Sequence, residues 1–220
     1  MRGFAFLIVS LGWFGRSAET VDFDKSKPGI APADWTFPNT HSGEPGRWLV
    51  HPDTTAPSKP NVLAQLTADK NRTHFAIALF NRGHCTDGDL SVDLKMVSGK
   101  LEQTAGLIWR YQDPNNYYLL FVDANADKIT VHKVIDGKSS PTVQTTGTGQ
   151  ISSASRRVDP QEWNVVKIVF RDARTAVFFN HRKVLEVEDT SIVRSGKTGV
   201  WTKGDTVAYF DDFRLDKKKE

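Results

Sequence analysis

Residues 164–188, NVVKIVFRDARTAVFFNHRKVLEVE, decide the fold class of this chain. Near their start, Val166, Ile168 and Phe170 occupy every second position, and Lys167 points to the opposite side of an extended chain. A period of two is the pattern of a half-buried β-strand, because successive side chains of a strand face opposite sides of its sheet. The pattern therefore predicts a strand with one apolar face over residues 164–170.

The second half of the same stretch predicts a hairpin. Two apolar runs flank Asn180-His181-Arg182, and asparagine tolerates the positive φ that tight turns require. In the run after the turn, Leu185 and Val187 face one way while Glu186 and Glu188 face the other. We therefore expect two antiparallel strands joined by a short turn, with the two glutamates on the side away from the core.

The rest of the chain repeats this pattern. From residue 62 onward, short runs rich in Val, Ile, Leu, Phe, Tyr and Trp alternate with turn signals such as Asp87-Gly88 and Asp136-Gly137. Strands bounded by turns every ~8 to 12 residues indicate a sandwich or a barrel. No stretch keeps a helical period for more than two turns. The sequence predicts an all-β domain of about a dozen strands in two packed antiparallel sheets.

Composition and charge exclude several classes of protein. The chain has 220 residues, of which 39% are hydrophobic and 25% charged, and its formal net charge is +3. These values exclude a disordered tail, a collagen-like fibre and a disulfide-stapled miniprotein. Without residues 1–17 the chain holds 27 basic and 26 acidic residues, a net charge of +1. A nearly neutral domain lacks the basic footprint of nucleic-acid-binding proteins, so we expect no nucleic-acid partner.

The N-terminal segment predicts a secretory signal peptide. A basic start at Arg2 precedes thirteen uncharged residues, Gly3 to Gly15, fewer than the ~20 that a membrane span needs. Small residues at positions 15 and 17 favour cleavage after Ser17. An uncleaved anchor or a buried N-terminal strand are the alternatives. We expect an exported protein, periplasmic or extracellular, with a signal peptide at 1–17, one domain at 18–216 and a basic tail at 217–220.

Cys85 is the only cysteine of the chain. It lies between His84 and Thr86-Asp87, a setting that suggests a metal ligand or a nucleophile. A zinc site needs three or four converging ligands, and the sequence supplies no second cysteine and no His-x-x-x-His helix. We therefore interpret Cys85 as a buried or loop thiol.

Five segments of the chain are distinctive. They are Gly106–Tyr118 (GLIWRYQDPNNYY), Trp163–Phe170 (WNVVKIVF), Val184–Asp189 (VLEVED), Gly196–Lys203 (GKTGVWTK) and Tyr209–Leu215 (YFDDFRL). Together they resemble bacterial exported domains of the concanavalin A-like lectin/glucanase superfamily and, within it, the laminin-G-like jelly rolls grouped with the 3-keto-disaccharide hydrolase family. The resemblance covers roughly residues 23–215.

The resemblance implies a jelly-roll sandwich with a concave face that can hold a sugar. Because this superfamily includes lectins, glycanases, lyases and non-catalytic modules, the fold alone leaves the function open. We expect a carbohydrate-binding domain, non-catalytic and monomeric, with a carbohydrate as its partner. A glycoside hydrolase or lyase acting on a keto-disaccharide or polysaccharide is the first alternative. A cell-surface protein-interaction domain is the second.

An aromatic and amide cluster is the candidate glycan site. On the strand before the Asp113-Pro114 turn, alternation predicts Leu107, Trp109 and Tyr111 on one face and Arg110 on the other. Sugar rings present apolar C–H faces to aromatic rings, and their hydroxyls bond planar donors and acceptors. Trp109 and one tyrosine are equally candidates for the inter-sheet core. The proposed binding residues are Trp109, Arg110, Tyr111, Gln112, Asn115, Asn116 and Tyr118.

Glu186 and Glu188 are the candidate catalytic pair. Glycoside hydrolysis needs two carboxyl groups, and residues two apart on a strand have Cα atoms ~6.6 to 6.8 Å apart on one face. The Glu-x-Asp-x-x-Glu motif of family 16 glucanases does not occur in the chain, and Glu186-Val187-Glu188-Asp189 is the nearest tract. A solvated strand face explains the two glutamates equally well.

A structural calcium is a third expectation. Calcium prefers six to eight oxygen ligands, and jelly rolls of this superfamily often hold one. Asp22 and Asp24 lie near the start of the expected domain, and Asp211 and Asp212 lie in its last strand. Because first and last strands are commonly adjacent in such sandwiches, these four carboxylates are the candidate ligands.

Overall fold

The computed structural model describes residues 18–40, 46–146, 149–151 and 153–218. It confirms the all-β prediction, because these residues form strands and loops without a helix among them. The signal peptide predicted at residues 1–17 lies outside the described residues. Nowhere in the described ranges is there a helix of the length and apolar character that crossing a membrane requires.

The strands, in chain order, are β1 (Glu19–Val21), β2 (Trp35–Thr36), β3 (Asn39–Thr40), β4 (Trp48–Pro52), β5 (Asn61–Gln65), β6 (Phe75–Phe80), β7 (Gly88–Ser98), β8 (Thr104–Asp113), β9 (Asn116–Asp123), β10 (Lys128–Ile135), β11 (Lys138–Pro141), β12 (Gln144–Thr146), β13 (Gly149–Ile151), β14 (Ser153–Ser155), β15 (Asn164–Arg171), β16 (Arg174–Phe179), β17 (Arg182–Glu188), β18 (Lys197–Lys203) and β19 (Val207–Lys217).

Two antiparallel sheets form the sandwich. Sheet A has eight strands in the order β17-β16-β15-β7-β19-β5-β4, with β1 added beside β19. Sheet B has nine strands in the order β11-β10-β9-β8-β18-β6-β2, with β14 beside β10 and β3 beside β6. Strands β12 and β13 form a separate two-stranded sheet. This arrangement is the two-sheet jelly-roll sandwich that the resemblance implies.

The inner faces of the two sheets form the main core. Val166, Ile168 and Phe170 of β15 are almost completely buried there, which confirms the period-two interpretation of that strand. From sheet B, Trp109 reaches across to Phe170 with ring centroids 6.5 Å apart. Large aromatic side chains thus fill the space between the sheets, as burial of their area favours.

The hairpin of β16 and β17 is also confirmed. Asn180 and His181 form a two-residue turn with φ of 46° and 66°, and Arg182 already pairs with Phe179 in the ladder. Positive φ at both central residues matches the right-handed twist of the strands that such a turn joins. Leu185 and Val187 are buried in the core, and Glu186 and Glu188 face away from it.

The first and last strands are adjacent, as expected for this fold. Strand β1 pairs with the last strand, β19, so that Val21 lies opposite Phe213. The last strand extends through Lys217, one residue into the predicted basic tail, and Lys217 Nζ lies 3.4 Å from Glu19 Oε1. Lys217 therefore belongs to the folded sheet.

Sheet B carries a second apolar cluster on its outer face, the side away from sheet A. The Trp201 side chain passes over Gly106, its partner on the neighbouring strand, to reach the strand beyond it. A Cβ at Gly106 would lie 2.0 Å from the Leu120 carbonyl oxygen, which accepts a 3.1 Å hydrogen bond from the Trp201 indole. The buried members of this outer cluster are Phe75, Ile77, Leu79, Ile108, Tyr111, Tyr117, Leu119, Val134 and Trp201.

Candidate functional site

A groove opens at the edge of the outer cluster, on sheet B. Its volume is about 450 Å³, which falls within the range of ~300 to 1,000 Å³ typical of ligand pockets. We call it the Phe121 groove, because Phe121 is the partly exposed aromatic residue of the cluster beside it. The residues that line it are Arg72, Thr73, Phe75, Phe121, His132, Gly137, Ser139 and Lys203.

Aromatic rings form the apolar wall of the groove. Phe121 contacts Trp201 with ring centroids 4.4 Å apart, and Phe75 contacts the same indole at 5.0 Å. The Phe121 ring stacks on the imidazole of His132 with centroids 4.0 Å apart and an interplanar angle of 27°. Contacts with Trp201 and His132 therefore hold the Phe121 ring in place.

His132 supplies a neutral polar group. Burial, followed by the charges of Lys203 and Lys128, lowers the pKa of His132 to about 4. The imidazole is therefore uncharged at neutral pH, with one nitrogen that donates and one that accepts. Its Nδ1 lies 3.2 Å from the Ser139 hydroxyl. This corner of the groove can both donate to and accept from a hydroxyl group.

Two cations border the groove and share one buried carboxylate. Arg72 Nε lies 2.8 Å and Lys203 Nζ 3.1 Å from the same oxygen, Glu102 Oε1. The Glu102 side chain is only 5% exposed, whereas the Arg72 side chain is 64% exposed and that of Lys203 is 25% exposed. The positive groups therefore lie nearer the solvent than the negative one.

The loop that carries Arg72 is held by its own hydrogen bonds. The Asn71 side chain accepts bonds from the Thr73 amide and hydroxyl, at 3.0 and 2.8 Å. The His74 amide donates to the Asn71 carbonyl oxygen at 3.0 Å, and His74 Nδ1 lies 3.0 Å from Asp69. These contacts position the loop before any ligand binds.

A second, smaller hollow lies between the β8–β9 turn and the segment after β17. Its volume is about 270 Å³, just below the range of ~300 to 1,000 Å³ that is usual for ligand pockets. Gln112 and Asn116, two of the residues predicted to bind a glycan, lie in its wall, together with Ile135, Ser191, Ile192, Val193 and Arg194.

The other predicted glycan-binding residues do not share one surface. Trp109 is 1% exposed in the inter-sheet core, stacked on Tyr118 with centroids 5.4 Å apart. Tyr111 belongs to the outer cluster on the opposite side of sheet B. The alternation predicted from Leu107 to Tyr111 is therefore wrong beyond Trp109. A β-bulge there, with φ of 49° at Arg110, changes the side to which the following residues point.

Arg110 is buried within the protein. It is 2% exposed, and its guanidinium donates to the carbonyl oxygens of Thr86 and Ile192 at 3.0 and 2.8 Å. It also donates to Asp87 at 3.1 Å and to the Asp172 carbonyl oxygen at 2.5 Å. Arg110 thus ties three loops together, a structural role that the sequence did not reveal.

Tyr118 fixes the segment after β17. Its hydroxyl donates to Asp189 Oδ1 at 2.7 Å and accepts from the Ile192 amide at 3.1 Å. Lys133 Nζ lies 2.7 Å from the other oxygen of Asp189. Burial opposes the charge of Asp189, but the hydrogen bonds from Lys133 and Tyr118 outweigh it and lower the pKa of Asp189.

Asn115 and Asn116 belong to the turn that joins β8 to β9. Asp113 Oδ1 accepts hydrogen bonds from the Asn115 amide at 2.7 Å and from Asn116 Nδ2 at 3.1 Å. Asn115 is exposed, and Asn116 reaches the smaller hollow. The backbone amide of Asn115 and the side-chain amide of Asn116 therefore both stabilise the turn.

The candidate catalytic glutamates lie on the outer face of sheet A. Glu186 pairs with Lys183, and Glu188 Oε2 lies 3.5 Å from Arg174 Nε. Both glutamate side chains are more than a third exposed. Neither lines the Phe121 groove or the smaller hollow. Their arrangement is that of a solvated strand face.

The four candidate calcium ligands come to one end of the sandwich but do not form a cradle. Asp211 is fully buried, and Ser58 donates to both of its oxygens at 2.8 and 2.9 Å. Burial, followed by the charges of Asp22 and Asp24, raises the pKa of Asp212. Among the described residues, no three His, Cys, Asp or Glu side chains are arranged to hold a metal. These side chains do not fit the six to eight oxygen ligands that calcium prefers.

Cys85 is buried, in agreement with its interpretation as a buried thiol. Its backbone exchanges two 3.1 Å hydrogen bonds with Gly196. Burial is the main cause that raises the pKa of the Cys85 thiol to about 11. The thiol is therefore protonated at neutral pH, which disfavours a role as a nucleophile.

Comparison with known proteins agrees with this fold and places the chain in a family. The architecture is that of a two-sheet jelly roll. The sequence matches the family described as the 3-keto-alpha-glucoside-1,2-lyase-like domain over residues 29–216. The chain belongs to this family, which confirms the resemblance of the five segments to the 3-keto-disaccharide hydrolase family. None of the curated proteins compared with the sequence matches it.

Solved structures share the fold at low sequence identity. A family 66 carbohydrate-binding module from Bacillus subtilis is 17% identical with a TM-score of 0.63, and the match covers 86% of this chain and 98% of the module. A family 43 glycoside hydrolase protein from Bacillus licheniformis is 17% identical with a TM-score of 0.56, and the match covers 90% of this chain but only 39% of that protein. The exoplasmic/lumenal domain of VIP36, bound to calcium and mannose, is 10% identical with a TM-score of 0.53, over 85% and 84% of the two chains.

Proposed function

We propose that this protein is a carbohydrate-binding domain that holds a saccharide in the Phe121 groove. The observation that carries the proposal is the pairing of a partly exposed aromatic ring with a neutral imidazole 4.0 Å away, in a groove of about 450 Å³. An apolar wall with a few convergent polar groups is typical of small-molecule sites. The fold shared with a carbohydrate-binding module and a mannose-bound domain supports the same class of ligand.

The chemistry of the groove matches both surfaces of a sugar. A pyranose ring presents apolar C–H groups on its face, which can lie against the Phe121 ring. Its hydroxyls need donors and acceptors together, and the neutral His132 with the Ser139 and Thr73 hydroxyls supplies both. Export, predicted from residues 1–17, is consistent with a polysaccharide met outside the cell.

The experiment compares two aromatic residues on opposite sides of the sandwich. Phe121→Ala removes the wall of the groove, whereas Phe178→Ala removes a half-buried phenylalanine from sheet A, on the far side of the molecule. Binding to a glycan panel is measured by calorimetry, and the same samples are checked for released products. We expect F121A to weaken glycan binding at least about tenfold and F178A to leave it unchanged. Equal binding by both variants, or no glycan bound by the native protein, contradicts the proposal.

The family description favours a lyase as the second candidate. Elimination from a 3-keto-glucoside would remove the C2 proton, which the neighbouring ketone makes acidic, form a C1=C2 bond and break the bond from C1 to the leaving oxygen. That oxygen would then take up a proton. The neutral His132 is the group of the groove that could accept the C2 proton. A pKa of about 4 makes it a weak base, which is why binding without turnover is the first proposal.

Incubation with a 3-keto-glucoside decides between the two candidates. The lyase predicts an unsaturated keto sugar that absorbs in the ultraviolet, and His132→Asn abolishes its formation even at substrate concentrations that saturate the variant. The binding domain predicts no such product from the native protein. Product formed equally by native protein and H132N would refute the role given to His132.

A further inference from the structure

The charge of the Phe121 groove points to the class of its saccharide, an inference that rests on the proposed function. Two of the lining residues, Arg72 and Lys203, are cationic, and no acidic residue lines the groove among the residues that the structure describes. A third cation, Lys128, is close enough to His132 to help lower the pKa of that imidazole. A neutral sugar needs none of these charges.

Two acidic groups that interact with these cations are engaged within the protein. Glu102 is almost fully buried and accepts from both cations through one oxygen. Asp205, whose charge also acts on Arg72, accepts from the backbone amides of Lys100, Leu101 and Glu102 at 2.8 to 3.2 Å. A charge held by backbone amides inside a turn is not presented to a ligand. The side of the cluster that faces solvent is therefore cationic.

We propose that the groove binds an acidic saccharide, with the sugar carboxylate on Arg72 and Lys203 and the sugar ring against Phe121. The guanidinium of Arg72 engages Glu102 through Nε, and a guanidinium carries further donors suited to a planar carboxylate. Lys203 adds a point charge beside it. The anchored loop from Asp69 to His74 holds Arg72 before binding, which reduces the entropy lost on binding.

The test uses acidic polysaccharides beside their carboxyl-reduced forms. Polygalacturonate, alginate and hyaluronan are each compared with the neutral polymer obtained by reducing the carboxyl groups, which keeps the linkage and changes only the charge. We expect at least one acidic polymer to bind about tenfold or more tightly than its reduced form, and this preference to shrink as salt is raised. Calorimetry at low and high ionic strength measures both effects.

Matched variants assign the charge preference to the two cations. Arg72→Gln and Lys203→Gln should each abolish most of the preference, measured as the ratio of the affinity for the acidic polymer to the affinity for its reduced form. Arg174→Gln is the control, because Arg174 is 72% exposed on sheet A and pairs with a glutamate as Arg72 does. Thermal melting of R72Q verifies that this exposed substitution leaves the fold intact.

Each outcome supports or refutes a distinct statement. Reduced polymers that bind as tightly as acidic ones overturn the acidic-saccharide inference and leave the proposed function standing. An acidic preference that survives in both R72Q and K203Q also overturns the inference. Absence of binding to every polymer, acidic or reduced, refutes the proposed function and the inference together.

Discussion

The outer faces of sheets A and B differ although the two sheets share one core. On sheet A, β15 alternates buried and half-buried residues, and its outward Lys167 lies 2.9 Å from Asp89 on the neighbouring strand. On sheet B, all six residues of β6 are buried, so both faces of that strand are apolar. A charged outer face is the ordinary solution for a sheet in water. An apolar outer face needs a further explanation, and the adjoining groove provides one.

This comparison also separates two kinds of aromatic residue. The aromatic side chains of the main core stabilise the fold wherever such a sandwich occurs. The rings of the outer cluster pack on one another on the side away from that core, and Phe121 at its edge stays partly exposed. We therefore expect substitutions inside the outer cluster to affect stability, and substitutions at its exposed edge to affect binding.

The largest effect should come from the centre of the outer cluster. Trp201 is fully buried and donates a hydrogen bond to the Leu120 carbonyl oxygen, so Trp201→Ala should cost about 3 to 5 kcal/mol of unfolding free energy. Phe178→Ala, at a half-buried position of sheet A, should cost about 1 kcal/mol or less. Urea unfolding of both variants measures the difference. Equal losses would mean that the two outer faces are alike.

Much of this fold can be predicted from the sequence, because a half-buried strand alternates apolar and polar residues. The strands of residues 164–188 belong to sheet A, where solvent on one side imposes that pattern. In sheet B, the sequence of β6 shows no such alternation, because FAIALF is apolar at every position. The unbroken apolar run Tyr117–Val122 of β9 is the signal in the sequence that both faces of sheet B are covered.

The groove itself could not be predicted, because its residues come from distant parts of the chain. Phe75, Phe121, His132 and Lys203 lie on four strands that become neighbours only through the order of sheet B. The bulge at Arg110 could not be predicted either, because nothing in the local sequence requires a positive φ at an arginine. Long-range pairing and one local irregularity therefore account for the predicted glycan residues that do not meet.

A smaller effect on stability, of opposite sign at the two positions, is expected when Asp93 and Asp89 of sheet A are each replaced by asparagine. Burial, followed by the charge of Asp212, raises the pKa of Asp93 to about 6. The folded state therefore favours protonated Asp93, and its contribution to stability is lost as the pH rises from about 4 through 6. Asp93→Asn should raise stability by about 1 kcal/mol at pH 7.5 and change it little at pH 4.

Asp89, on the same strand, is the matched control. Burial opposes its charge, but hydrogen bonds from Arg171 and Lys167 prevail and lower its pKa. Its stabilising contribution is present at neutral pH and is lost as the pH falls. Asp89→Asn should therefore destabilise the protein at pH 7.5. Thermal melting of both variants at the two pH values tests these opposite signs, and a shift of the same sign in both variants would refute the electrostatic account.

The smallest effect is expected at the glutamates on the outer face of sheet A. Glu186→Gln removes an exposed ion pair with Lys183, so stability should change by less than about 0.5 kcal/mol. Saccharide binding should be unaffected, because Glu186 does not line the groove. Loss of turnover on an identified substrate in E186Q would instead revive the catalytic interpretation of Glu186 and Glu188.

Backbone amide NMR during titration with the tightest-binding saccharide tests the central claim most directly. The account predicts that the largest shifts occur around Phe121, His132 and Lys203, on β9, β10 and the end of β18, and that the outer face of sheet A around Lys167 stays unchanged. Shifts concentrated on sheet A, or around the smaller hollow at Gln112, would contradict the assignment of the ligand to the Phe121 groove.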